Sequence, residues 1–188
     1  MSQDSLTPAE LLQQRNRRTG MTIFQISWML VFVCLVIVNW QLRGNHPGWP
    51  PPGVSAPSAL LPGLVTLGLL ASAWLARAAT RDLAAGRRAA FRRQWRGALG
   101  LGALFVLVMA YEWLSIPTSG IYSDVFRMMT AFHLLHALAI GLFMSMIARG
   151  VRAGRVSAQN LWPAEGATSL WYFVVVAWLL FFPVLYLI

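Results

Sequence analysis

The sequence predicts an all-α, polytopic membrane protein: a bundle of five transmembrane helices with its N-terminus cytoplasmic and its C-terminus outside. Three observations carry that prediction. Five apolar segments, residues 21–42, 59–76, 98–116, 128–148 and 169–188, are each long enough to cross a hydrocarbon layer of about 30 Å as a helix. The chain is 57% hydrophobic and only 11% charged, less than half the charge of an ordinary soluble domain at about 25%. All 15 basic residues are arginine, and they collect at alternate joints between the segments. Inside lipid a backbone must satisfy its own hydrogen bonds, so spans of this length are helices.

Residues 1–20 form a polar N-terminal segment, followed by the five-helix domain of residues 21–188. In the segment, Thr7-Pro8-Ala9-Glu10 sets a capping hydroxyl three residues before a carboxylate, with proline at the first helical position. A short surface helix through Leu11 and Leu12 to about Arg18 is expected. The first apolar run exceeds a signal-peptide core and lacks a small-residue cleavage site, so it is expected to remain as a span. The joint 44–57 is rich in proline and glycine and predicts an extended, rigid loop. The joint 77–96 is rich in alanine and arginine, so the second and third helices are expected to run past the membrane and turn near Gly86. No internal repeat is visible, and with it no sign of the inverted halves common in transporters.

Basic loops favour the cytoplasm. Arg15, Arg17 and Arg18 precede the first span, seven arginines fill the joint from Arg77 to Arg96, and Arg149, Arg152 and Arg155 fill the fourth joint. Only Arg43 and Arg127 fall on the other side. An odd number of spans and an alternating bias agree with each other. A net charge of +9 would suggest nucleic acid in a soluble protein, but here the arginines lie on short joints where anionic headgroups are the nearest partners. Phospholipid and membrane are the expected contacts, and nucleic acid is not. Cys34 is the single cysteine and lies within a span, which excludes an intrachain disulfide or a cysteine metal cluster.

Ionisable groups within spans are functional candidates by default. They are Glu112, near the outer end of the third span, and His133 with His136, three residues apart on one face of the fourth. Imidazole suits a metal or haem, but no third ligand of matching depth is evident. The expectation is that Glu112 hydrogen-bonds one of the histidines across the third and fourth helices, with no cofactor or metal held in this chain. No phosphate loop, nucleophile elbow or paired carboxylates appear, so a subunit is a more natural reading than an independent enzyme. Trp28, Trp171 and Trp178 are read either as membrane packing or as lipid contacts, and Arg77, Arg81, Arg149 and Arg152 as contacts to lipid phosphate.

Four motifs in order carry a resemblance. Trp49-Pro50-Pro51-Pro52-Gly53 lies in the outer loop, Tyr111-Glu112-Trp113 at the outer end of the third span, Thr130-Ala131-Phe132-His133-Leu134-Leu135-His136 in the fourth, and Trp171-Tyr172-Phe173-Val174-Val175-Val176-Ala177-Trp178 in the last. From about Gly20 to Ile188 the chain resembles subunit III of the haem-copper terminal oxidases, in the five-helix bacterial form. The resemblance implies a subunit without haem or copper, multi-pass in the bacterial inner membrane. It would pack with subunits I and II, which hold those groups, retain phospholipid, and support proton uptake and turnover stability in its neighbour.

The departures are specific. The family's Ser-Glu pair is Ser27-Trp28 here, and its His and Asp of the last span are Tyr172 and Val175. Roles that need a titrating group at those positions are in doubt, and a structural, lipid-holding role survives. Two other readings stay open: a related accessory protein of a nitric oxide reductase system, and a small transporter or membrane enzyme using Glu112 and the two histidines.

Overall fold

The computed structural model describes residues 7–117 and 120–188, and all five expected helices are present: α1 (Pro8–Gly44), α2 (Leu60–Ala84), α3 (Arg88–Ser115), α4 (Ile121–Arg152) and α5 (Trp162–Tyr186). Each is long and apolar enough to span a membrane, and no strand occurs among the described residues. The helices overrun the apolar segments, most of all at the arginine-rich end. Alanine and arginine are strong helix formers and keep the chain helical where the lipid stops.

The capping signal is realised at α1. The Thr7 hydroxyl accepts from the Glu10 backbone N–H at 3.3 Å, and the Glu10 carboxylate accepts from the Thr7 backbone N–H at 2.8 Å. The bond from the Thr7 backbone N–H, and then one donated by the Thr7 hydroxyl to the same carboxylate at 2.8 Å, hold the Glu10 carboxyl below the usual carboxylate range. The expected surface helix and the first span, however, are one continuous helix of 37 residues. Gly20 stands between them alone, and a single glycine costs helix stability without ending the helix.

At the arginine-rich end, α2 and α3 form a tight hairpin. Gly86 adopts φ +77°, a left-handed conformation that closes the turn without the penalty a Cβ would bring. Arg87 Nε donates to Asp82 Oδ1 at 3.0 Å, tying the turn back to α2. At the opposite end the 44–57 loop folds inward, with the Trp49 ring 5.2 Å from that of Tyr122 at the start of α4.

The packing order follows from small residues. Ala73, Ala76 and Ala79 of α2 and Ala98 of α3 are buried, and a Cβ on Gly97 would stand 3.1 Å from Leu75. Such residues let helix backbones approach where lipid offers no hydrophobic drive to associate. Helices α2, α3, α4 and α5 thereby close a ring, each touching two neighbours, and α1 lies outside it against α5. The core inside the ring is aromatic: Phe91, Trp95, Phe105, Phe126, Trp171, Trp178 and Phe181 are all at most 2% exposed. Within α1 only Phe32 and Asn39 are buried.

Candidate functional site

His133 and His136 lie where α1 meets the ring, and their environments differ. Trp28 of α1 donates its indole N–H to His136 Nε2, and His136 Nδ1 lies 2.6 Å from the Phe132 carbonyl. An indole nitrogen can only donate, so Nε2 is the acceptor and Nδ1 carries the proton that goes to the carbonyl. His136 is thus held as one neutral tautomer with both nitrogens engaged.

His133 is 1% exposed. Its ring sits among Trp178 at 5.3 Å, Phe105 at 5.7 Å and Phe32 at 6.2 Å between centroids. Neither nitrogen has a hydrogen-bond partner among the described residues.

The expected pairing of Glu112 with a histidine is therefore not made. Phe105 is the α3 residue level with His133, and Glu112 stands seven residues further along α3, about 10 Å at 1.5 Å per residue. The two motifs share a helix pair but not a height.

Of the two readings open for Trp171 and Trp178, packing is the one their burial matches, at 2% and 0% exposed. Trp171 Nε1 donates to Ser72 Oγ at 2.8 Å, and Trp178 Nε1 to Thr66 Oγ1 at 2.7 Å. Both bonds run from α5 to α2 and fix the height of one helix against the other. Trp28 is 39% exposed, so its N–H faces the bundle while part of its ring faces outward, stacked on Phe24 at 5.7 Å. Arg77, Arg81, Arg149 and Arg152 are exposed. Among the described residues no group of three His, Cys, Asp or Glu side chains is placed to hold a metal.

One feature escaped the sequence reading. At the arginine-rich end a cavity of about 490 Å³ lies between α1, the end of α2, the α4–α5 joint and the start of α5, lined by Gln14, Arg17, Arg18, Asn160, Trp162 and Glu165 among others. A second cavity of about 320 Å³ shares Arg18, Trp162 and Glu165 and continues along Met21, Thr22, Gly166 and Ser169. Arg18 reaches Glu165 at 3.7 Å, a loose pairing of two partly exposed groups that contributes little to stability. The upper cavity mixes charged and apolar lining, and the lower one runs between the first apolar turns of α1 and α5 to Ser169, which hydrogen-bonds Gln25 at 3.0 and 3.2 Å. The signal in the sequence was the adjacent Arg17 and Arg18, but nothing there revealed that Trp162 would stand opposite.

Comparison with known proteins agrees with this architecture. The family model described as cytochrome c oxidase subunit III matches residues 9–188. The cytochrome c oxidase subunit 3 of Thermostichus vulcanus is 32% identical over 180 residues, an alignment covering 92% of this chain and 87% of that protein. The corresponding protein of Synechocystis sp. is 25% identical over 176 residues, covering 92% and 76%, and that of Mus musculus 29% over 182 residues, covering 92% and 70%.

Proposed function

The chain belongs to the cytochrome c oxidase subunit III family, non-catalytic subunits of haem-copper oxidases, and from that premise we propose how it serves its complex. It packs on the catalytic subunit I beside subunit II, which carry the haem and copper, and it supports proton uptake and turnover stability there as a lipid-retaining scaffold in the bacterial inner membrane. The observation that carries this reading is the family match over residues 9–188 of a chain with five helices long and apolar enough to span a membrane. The nitric oxide reductase alternative is not favoured, since the relatives are named as oxidase subunits.

The lipid-holding part of the proposal rests on the paired cavities beside Arg18. Arg17 and Arg18 offer guanidinium groups to a phosphate, the exposed Arg77, Arg81, Arg149 and Arg152 surround that end with positive charge, and the lower cavity accepts the first carbons of an acyl chain. Trp28 lies further along the same helix, with its ring edge toward lipid. The histidines, with His136 bonded to Trp28 and His133 enclosed by aromatic rings, serve structure rather than transport or catalysis.

The test is purification of the tagged chain from its own membranes in mild detergent. It should emerge with stoichiometric partners that carry haem absorbance and copper. Emergence alone, or with a nitric oxide-reducing partner, would overturn the proposal.

We further propose that the arginine-rich end faces the cytoplasm, following the basic-loop bias. A reporter active only outside the cytoplasm should be silent when inserted at Gly86 and active when fused after Ile188. The reverse pattern would refute the orientation.

A further inference from the structure

The half of the bundle away from the arginine-rich end contains polar atoms that the protein itself does not satisfy. Asn39 Oδ1, Ser123 Oγ, Thr130 Oγ1 and both nitrogens of His133 are fully shielded without a hydrogen-bond partner among the described residues, and the residues carrying them are at most 3% exposed. Arg127 Nε and the Tyr186 hydroxyl are shielded and unpartnered in the same way. Elsewhere in the bundle hydroxyls turn back onto the carbonyl one turn earlier: Thr66 to Pro62, Thr80 to Ala76, Ser145 to Gly141 and Thr168 to Ala164, at 2.7 to 3.0 Å. Ser123 and Thr130 do not. Buried polar groups are nearly always bonded, so a cluster of exceptions points to a ligand.

Position identifies that ligand. Residues 123, 127, 130 and 133 occupy one face of α4, separated by rises of about 6, 4.5 and 4.5 Å, a column whose steps suit two hydrogen bonds through one intervening water. His133 is level with Phe32 of α1, Phe105 of α3 and Trp178 of α5. Two turns further out, Asn39, Glu112 and Tyr186 arrive at the level of Phe126, whose ring is 5.7 Å from that of Tyr186. The column thus runs from a polar layer contributed by four helices down to a single imidazole.

The atoms require both donation and acceptance: a neutral imidazole offers one of each, a hydroxyl both, an amide oxygen accepts, and Arg127 Nε donates. No carboxylate accompanies Thr130 or His133 to favour a cation, and Arg127, whose guanidinium lies over the Trp113 ring at 4.6 Å, already brings positive charge to the column. A small neutral molecule that donates and accepts fits every position.

We propose that this column is a blind-ended hydration site, in which ordered water bridges Asn39, Ser123, Arg127, Thr130, His133 and Tyr186. It ends at His133. The next residues on that face of α4 are Ala137, Ile140 and Met144, all buried and apolar, and His136 has no free nitrogen to continue the chain. The site hydrates the bundle core without opening a route across it.

The experiment is a map of the purified complex that resolves ordered water, with Thr130→Val and Thr130→Ser variants measured beside it. The expected result is density within hydrogen-bond distance of Thr130 Oγ1 and of one His133 nitrogen. Thr130→Val should remove the deepest density and lower the thermal midpoint, because it strips a partner from the remaining water and imidazole. Thr130→Ser, which keeps the hydroxyl, should retain both. Bare nitrogens on His133, a protein side chain in direct contact with them, or a Thr130→Val variant with an unchanged or raised midpoint would each overturn the proposal.

Discussion

Replacing Gly102 with valine is expected to stop the ring of helices from closing, and with it to abolish accumulation of the subunit in its complex. A Cβ at this position would stand 2.6 Å from Trp171 Cζ2 and 2.7 Å from Cη2, well inside van der Waals contact. The indole cannot step aside at low cost, being 2% exposed and bonded through Nε1 to Ser72. Overpacking a close-packed core by one or two methyl groups costs about 1–3 kcal/mol. Here any relief also breaks a hydrogen bond between helices, about 1 kcal/mol more. Immunodetection of the subunit in purified oxidase measures the effect. Trp171→Leu in the same chain, which vacates the contested space, should restore much of the loss. Normal assembly of the Gly102→Val variant would mean that Trp171 does not press against Gly102 across the ring.

Phe32→Ala should release α1 from an otherwise intact ring. Phe32 is 0% exposed and its ring meets Phe132 at 5.0 Å, His136 and Phe181 at 5.2 Å, and Phe173 at 5.5 Å, so one side chain joins α1 to both α4 and α5. Truncations of this kind cost about 3–5 kcal/mol in soluble cores. The lower end applies in a bilayer, where lipid chains solvate the freed surface and the loss is chiefly of packing. Beyond Phe32, α1 is held by the Trp28–His136 and Gln25–Ser169 bonds and by the partly buried Met29, Leu35 and Val36. Heating the purified complex and following dissociation of the subunit should show a marked fall in midpoint for Phe32→Ala. Phe24→Ala, at a site 50% exposed, should show almost none. Equal effects at the two sites would sink this account of how α1 is attached.

Length, apolarity and the arginine pattern were enough to place five spans, because lipid imposes those requirements on each segment separately. The Thr7–Glu10 cap and the turn at Gly86 were legible for the same reason: each is a local device, complete within a few residues. What escaped depends on how helices are rotated and raised against one another. The Glu112–histidine pairing failed because counting residues from the span ends gives height only to within a turn or two, and Glu112 lies two turns along α3 from the level of His133. Packing and lipid contact stayed open for Trp171 and Trp178 because Ser72 and Thr66, which receive their N–H groups, lie a hundred residues away in an apolar run where small hydroxyls attract no notice. Trp28 was read as the loss of a carboxylate, while its gain of a donor toward His136 required the third dimension. The cavities beside Arg18 needed the α4–α5 joint to fold beneath Gln14 before they existed at all.

The position of α1 outside the ring has a consequence for biogenesis. This helix leaves the ribosome before the other four, yet the surfaces it binds, on α4 and α5, follow only after α2 and α3. For most of the chain's insertion it has no partner and must reside alone in lipid. Its composition suits that interval: of the five spans it has the most apolar window and the least of it buried in the bundle, and its buried polar side chain, Asn39, lies close to its C-terminal end. The four later helices can meanwhile find one another through the α2–α3 hairpin and the indole bonds of α5. Docking of α1 is then a late event whose partners are complete before it begins, and a helix recruited last is also the one that can be exchanged or lost without dismantling what formed earlier.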